Sequence, residues 1–144
     1  MPLPAPSCKI CDHLWPPRDH LIGQVGMTTA YLFEDQYFAG WTVLILNDHA
    51  TELFELSLNK RHALIDEVSQ VAHMLSSVFS PQKINYELLG NQVPHIHWHL
   101  IPRLPNDPSP LQPVWCVQHH PVKLTGHELT GRVQQLRQSL QLSR

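Results

Sequence analysis

The sequence predicts an α+β protein built on an antiparallel sheet of about five strands, with one long helix, a short helix and a C-terminal helix. Three observations lead there. β-Branched and aromatic residues crowd between Gln24 and Leu46. Apolar residues then recur at steps of three, four and seven from Leu64 to Phe79, as one buried face of a helix requires. Two further strand patterns follow, Lys83 to Leu89 and His95 to Ile101. Strands, then a helix, then strands favour antiparallel pairing over a βαβ alternation.

Taken in order, residues 1–20 read as a proline-rich, irregular arm, residues 21–105 as the core, and residues 106–144 as a Pro-rich segment ending in a helix. Val25, Thr28, Thr29, Tyr31 and Phe33, then Trp41 to Leu46, suit two or three strands, with turns near Glu34–Asp35 and Ala39–Gly40. Thr51 can cap a short helix carrying Leu53, Phe54 and Leu56. The long helix spans about Leu58 to Phe79 and buries Leu64, Ile65, Val68, Val71, Ala72, Leu75, Val78 and Phe79, until Pro81 stops it. Gly90–Asn91–Gln92 reads as a turn. The strand from His95 is expected to end at Pro102, and the chain to run irregularly to Pro121. Thr125-x-x-Glu128 has capping-box spacing, and Leu129, Val133, Leu136 and Leu140 form a narrow stripe on the last helix.

Composition excludes several classes. A net charge of −2 with no basic run argues against a nucleic-acid groove built on bulk charge. No run of about eighteen apolar residues is present, so no membrane span is expected. Met1 to Lys9 lacks the apolar core of a secretory signal, which makes the cytoplasm the expected location. Cys8, Cys11 and Cys116 do not suit a disulfide framework. Cys8-x-x-Cys11 points instead to metal or redox chemistry, whereas Cys116 reads as a small packed residue.

The most informative segment is Pro94-His95-Ile96-His97-Trp98-His99-Leu100-Ile101-Pro102-Arg103. Alternation along a strand puts His95, His97 and His99 on one face, roughly 6.5–7 Å apart in succession. Ile96, Trp98 and Leu100 take the other, the core face. A solvated polar face is the plainest reading. A metal site is a second, since His-x-His on a strand can offer two nitrogens to one ion, although no carboxylate partner is obvious nearby. Nucleophilic catalysis is the third: one imidazole attacks an electrophile while its neighbours orient it and hold the developing charge.

His95-Ile96-His97-Trp98-His99-Leu100-Ile101 resembles the His-φ-His-φ-His-φ-φ signature of histidine-triad nucleotide hydrolases and transferases, where φ is apolar. Upstream, Gly40-Trp41-Thr42-Val43-Leu44-Ile45-Leu46-Asn47-Asp48-His49 is similar to that family's Gly-His-Thr-Leu-Val-Ile-Pro-Lys-x-His strand, with Gly40, Thr42 and His49 matching. The resemblance covers roughly residues 8 to 103. It implies a histidine-triad-like fold and a nucleotide substrate cleaved at its α-phosphorus. The substrate classes it implies are dinucleoside polyphosphates and nucleoside phosphoramidates. His97 would be the nucleophile that forms a covalent nucleotidyl-imidazole. His99 would contact phosphate oxygens, and the carbonyl of His95 would accept the second ring N–H of His97. A nucleotide-binding module with little catalysis is the competing reading.

The resemblance further implies a zinc-containing bacterial branch, with a structural zinc on Cys8, Cys11, His49 and His95; His13 and His20 compete for that role. It implies a homodimer as well. Some positions depart from the family pattern. Gly90-Asn91-Gln92-Val93 stands where Gly-Gln-Ser/Thr-Val is usual, so Asn91, Gln92 and Asn85 become the candidates for phosphate contact. Phe33 occupies the place of a ribose-binding aspartate, which leaves Glu34 or Asp35 for that role.

Overall fold

The structure is a computed structural model and describes residues 7–143. Five strands, β1 (Leu21–Gln24), β2 (Thr28–Leu32), β3 (Thr42–Leu46), β4 (Lys83–Glu87) and β5 (His97–Arg103), form one antiparallel sheet in the order β1-β2-β3-β5-β4. Two helices accompany it, α1 (Leu58–Phe79) and α2 (Gly126–Leu142). The α+β fold class predicted from sequence is therefore the observed one. β3 is central, and all five of its residues are buried. A strand covered on both faces must be apolar throughout rather than alternating.

Helix α1 occupies the predicted residues. Ser57 caps it by accepting from the Lys60 amide at 3.3 Å, and Ser80 ends it in the left-handed region at φ 48°. Its buried stripe differs from the prediction at Ile65, which is 52% exposed. Successive residues turn about 100° around a helix, so Ile65 swings off the line through Leu64, Val68, Val71 and Leu75. Glu67 and Met74, on the opposite flank, are buried instead. Glu67 can be buried because its carboxylate accepts from the Thr28 amide (3.0 Å), the Thr28 hydroxyl (2.6 Å) and the Met27 amide (3.2 Å). It thereby closes the turn between β1 and β2.

One sheet face packs on both helices. Ile22, Ala30, Leu32, Leu44 and Leu100 share one core with the α1 stripe, and all four predicted α2 residues, Leu129, Val133, Leu136 and Leu140, join them. Gly40 is needed at the entry to β3. Its φ is +89°, and a Cβ there would lie 2.5 Å from the Phe79 ring, so both backbone and space demand glycine.

Several boundaries are corrected by the structure. β4 stops at Glu87, short of Leu89. β5 begins at His97 and runs through Pro102 to Arg103. Pro102 is tolerated because the β3–β5 ladder ends with Thr42 opposite Leu100, so the missing N–H falls beyond it. The short helix is a single 3-10 turn, Leu53–Glu55, capped by Glu52 rather than Thr51, whose hydroxyl donates to Glu55. Thr125 is the N-cap of α2 but makes no side-chain cap bond. Gly126 at φ +55° turns the entry there, and the Glu128 amide bonds the Thr125 carbonyl instead.

The other sheet face carries the site. At one end of it, Phe38, Trp41, Ile101, Val114 and Val117 form a second core beneath the Pro-rich segment. Buried Arg103 pins that segment, donating to Asp107 (2.5 Å), Ser109 O (2.7 Å), Gln112 O (2.7 Å) and Asn85 (2.8 Å). A 3-10 turn at Val114–Cys116 sends Val114 and Val117 inward, so Cys116 is exposed rather than packed. Among the described residues, no helix is long and apolar enough to cross a membrane.

Candidate active site

β5 pairs with β3 so that His97 lies opposite Ile45 and His99 opposite Val43. Residues paired across strands share a face, so both imidazoles point away from the helices. There they line a pocket of about 700 Å³. The arm supplies one wall through Lys9, Leu14 and Trp15. Gly90 to Val93 supply another, and Phe33, Glu34 and Trp115 close the end.

The sequence reading placed three rings in one row; the structure gives them three different settings. His97 Nδ1 lies 2.7 Å from the His95 carbonyl. A carbonyl only accepts, so Nδ1 carries the proton and Nε2 holds a lone pair. That Nε2 has no hydrogen-bond partner among the described residues and opens on the pocket. Burial pushes the His97 pKa below the usual histidine value, and the bond to His95 O only partly opposes this. The ring is thus neutral and nucleophilic near pH 7. Trp15 meets it edge-on, with ring centroids 5.4 Å apart.

His99 is boxed by aromatic rings. Trp41 Nε1 donates to its Nδ1 at 3.0 Å. Phe33 and Trp115 approach edge-on at 5.4 and 5.2 Å. Burial, helped by neighbouring His97, lowers its pKa to about 4.

His95 does not line the pocket. It is 1% exposed, and its Nε2–H donates to Leu46 O at 2.7 Å. Its Nδ1 lone pair therefore points at Cys8 Sγ (3.4 Å), Cys11 Sγ (3.6 Å) and His49 Nδ1 (3.1 Å), while Cys11 Sγ lies 3.4 Å from His49 Nδ1. All four ligand atoms fall within 4.8 Å of one another. Ligands 2.0–2.3 Å from a tetrahedral zinc stand roughly 3.3–3.8 Å apart, so the donor set and its spacing fit that ion. The bond to the Leu46 carbonyl is of the kind that would orient an imidazole toward a metal. His20 bonds the Leu32 carbonyl at 2.9 Å, and neither it nor His13 joins the cluster.

The remaining expected residues divide. Asn91, Gln92 and Glu34 line the pocket, but Glu34 already accepts from Trp15 Nε1 at 2.7 Å. Asn85 does not reach the pocket. It pairs with Ile101, two residues beyond His99, and its amide oxygen is held by Arg103. Asp35 is absent as well: it accepts from His119 Nε2 at 2.6 Å and from the Tyr37 and Val122 amides. The sequence reading missed Trp15, Phe33 and Trp115 as walls and Trp41 as a partner of His99. No spacing rule links Trp115 to the triad. Proximity of Trp15 to Cys8-x-x-Cys11 was the one available signal.

The HIT domain model matches residues 18–106, more than half of the chain. The chain belongs to the histidine-triad family. Solved histidine-triad structures agree. A protein from Marinobacter aquaeolei is 28% identical with a TM-score of 0.78, the alignment covering 87% of this chain and 90% of that one. One from Bradyrhizobium japonicum is 26% identical with a TM-score of 0.75, covering 85% and 92%. A Zn-bound member from Mycobacterium smegmatis, 17% identical, shares the fold at a TM-score of 0.68, covering 94% of each chain. No curated protein matches significantly. Histidine-triad proteins are generally nucleotide hydrolases or transferases.

Proposed function

We propose that this histidine-triad protein is a nucleotidyl hydrolase or transferase that works through a covalent nucleotidyl-His97. The observation that carries this is the 2.7 Å bond from His97 Nδ1–H to the His95 carbonyl, which leaves the Nε2 lone pair facing the pocket. In the first step Nε2 attacks the α-phosphorus, an N–P bond forms, and the bond from phosphorus to the leaving group breaks with its electron pair. In the second step water attacks phosphorus, loses a proton to solvent, and the N–P electron pair returns to His97. An alcohol or phosphate in place of water gives transfer. His99 Nε2–H, Asn91 and Gln92 would donate to phosphate oxygens, and the pocket-lining rings of Phe33, Trp15 and Trp115 would pack against a base.

Zinc belongs to the same proposal. Cys8, Cys11, His49 Nδ1 and His95 Nδ1 would hold it, and it supplies cross-linking of the arm to the triad strand rather than chemistry on substrate. The Zn-bound relative from Mycobacterium smegmatis lends support at the level of fold. A homodimer is also proposed. β4 is an edge strand, and exposed Tyr86 and Leu89 lie on or beside it. Light scattering that reports a monomer removes this part.

The test is intact-mass analysis after rapid mixing with dinucleoside polyphosphates and nucleoside phosphoramidates. The expected result is an acid-labile adduct of one nucleotidyl group on the wild type and none on His97→Ala. Turnover by His97→Ala would end the reading. Nucleotide binding with no turnover in the wild type would favour the binding-module reading instead.

A further inference from the structure

Trp41 stands where the matching family motif has histidine, and it touches a triad residue directly. Its indole N–H lies 3.0 Å from His99 Nδ1. The indole nitrogen can only donate. His99 Nδ1 must therefore accept, and the neutral ring carries its proton on Nε2. Adding a proton to Nδ1 would set N–H against N–H in a place closed to water, since Trp41 is 1% and His99 5% exposed.

The surroundings offer no compensation. Phe33 and Trp115 stand T-shaped to His99 and bring no negative charge to it. Glu87 is its cross-strand partner on β4, but the Glu87 carboxylate accepts from the Trp115 indole. Glu34, across the pocket, is taken by Trp15. His97 lies beside His99 on β5, and Lys9 lines the pocket from the arm; neither favours a cation at His99. His99 Nε2 makes no hydrogen bond among the described residues.

We propose that Trp41 is a positioning residue that locks His99 as a neutral Nε2–H donor unable to relay protons, and that the site therefore takes phosphate anhydrides in preference to phosphoramidates. The proposal rests on the covalent reading above. When an anhydride is cleaved, the P–O bond breaks, its electron pair stays on the departing phosphate oxygen, and no proton is needed. When a phosphoramidate is cleaved, the P–N pair leaves on an amine that must gain a proton. His99 can steady either group by hydrogen bonding. It cannot supply that proton, because losing Nε2–H while Nδ1 accepts from the indole would leave an imidazolate.

Two measurements test this on the intact protein. The first is ¹⁵N–¹H correlation of the imidazole nitrogens between pH 5 and 8. It is expected to show His99 in the Nε2–H form throughout, with that signature lost in Trp41→Phe. A protonated Nδ1 in the wild type overturns the lock. The second compares kcat/KM for diadenosine tetraphosphate and adenosine phosphoramidate, with guanosine counterparts. The anhydride is expected to lead by at least about 100-fold, the lower end of what general acid catalysis contributes, and Trp41→His to narrow that ratio by raising phosphoramidate turnover. Equal efficiency on both classes in the wild type overturns the substrate assignment. Absence of any His97 adduct with either class overturns the covalent reading and the substrate assignment with it, while the tautomer signature still decides the lock.

Discussion

The two ends of the triad face use the same side chain for opposite purposes. At the His95 end, the Leu46 carbonyl accepts from Nε2–H, and the Nδ1 lone pair is aimed at Cys8, Cys11 and His49. At the His99 end, an indole N–H occupies the Nδ1 lone pair, and Nε2–H is left for a ligand. One end gathers donor atoms that would suit a cation, and the other sets an N–H donor against one. His97 lies between them, with its Nδ1–H donated to a backbone carbonyl and its Nε2 lone pair free. A histidine is thus defined by what faces its second nitrogen, which sequence spacing does not contain.

The largest expected effect comes from the shared middle. His97→Ala should lower turnover on the order of 10⁴-fold or more, in line with loss of a nucleophile, while the melting temperature moves by only a few degrees. Retained turnover would mean that neither end serves His97.

Next comes the end where Cys8, Cys11, His49 and His95 gather. Cys8→Ser should abolish zinc binding by metal analysis and weaken the arm's attachment. If that attachment contributes about 2 kcal/mol, the melting temperature falls roughly 5 °C. Trp15 emission should shift because the arm carries that wall of the pocket. The ¹⁵N signature of His99 should not change. A change there would break the division into two independent ends.

Trp41→Phe is the matching test at the other end. It keeps most of the buried ring and removes the donor. Turnover should fall about 10-fold, the scale of roughly one lost hydrogen bond, and zinc content should stay at one ion per chain. Loss of zinc in this variant would show that the ends are coupled.

The smallest effect concerns the segment that carries Trp115 to the His99 end. His119 bonds Asp35 at 2.6 Å and stacks on Tyr37 with centroids 4.2 Å apart. Burial opposes charge on both partners, but their mutual hydrogen bond prevails, raising the His119 pKa and lowering that of Asp35. The His119 contribution is complete below its unfolded pKa of about 6.5 and fades as pH rises through the raised folded value. The Asp35 contribution is complete above about 3.9 and fades as pH falls through its lowered folded value. The pair therefore stabilises most between about pH 4 and 6.5. Against His119→Gln, the wild type should gain under about 1 kcal/mol at pH 5.5 relative to pH 8.5 in urea unfolding. No difference would mean that the pair does not hold the segment.

Much of the frame was legible because it is local. The bounds of α1 follow from a 3.6-residue period ended by Ser80–Pro81, and the α2 stripe from Leu129 to Leu140 follows in the same way. The errors mark where neighbours overruled period. Ile65 satisfies the spacing but faces solvent, while Glu67 breaks it and is buried because the Thr28 turn supplies its donors. Asn85 and Asp35 are polar residues near the right strands, but Arg103 and His119 claim them.

Alternation along an extended backbone put His97 and His99 on one side of β5, with His95 just before the strand begins, and Cys8-x-x-Cys11 marked a pair of thiols able to share an ion. Those are consequences of covalent geometry and need no partner. Which nitrogen of each ring stays free, and which walls enclose the middle one, were settled only by tertiary packing. Trp41 meets His99 across 58 residues of chain, and the Leu46 carbonyl meets His95 across 49. Contacts at such separations depend on how the sheet, the arm and the Pro-rich segment pack together, and no short-range period encodes that arrangement.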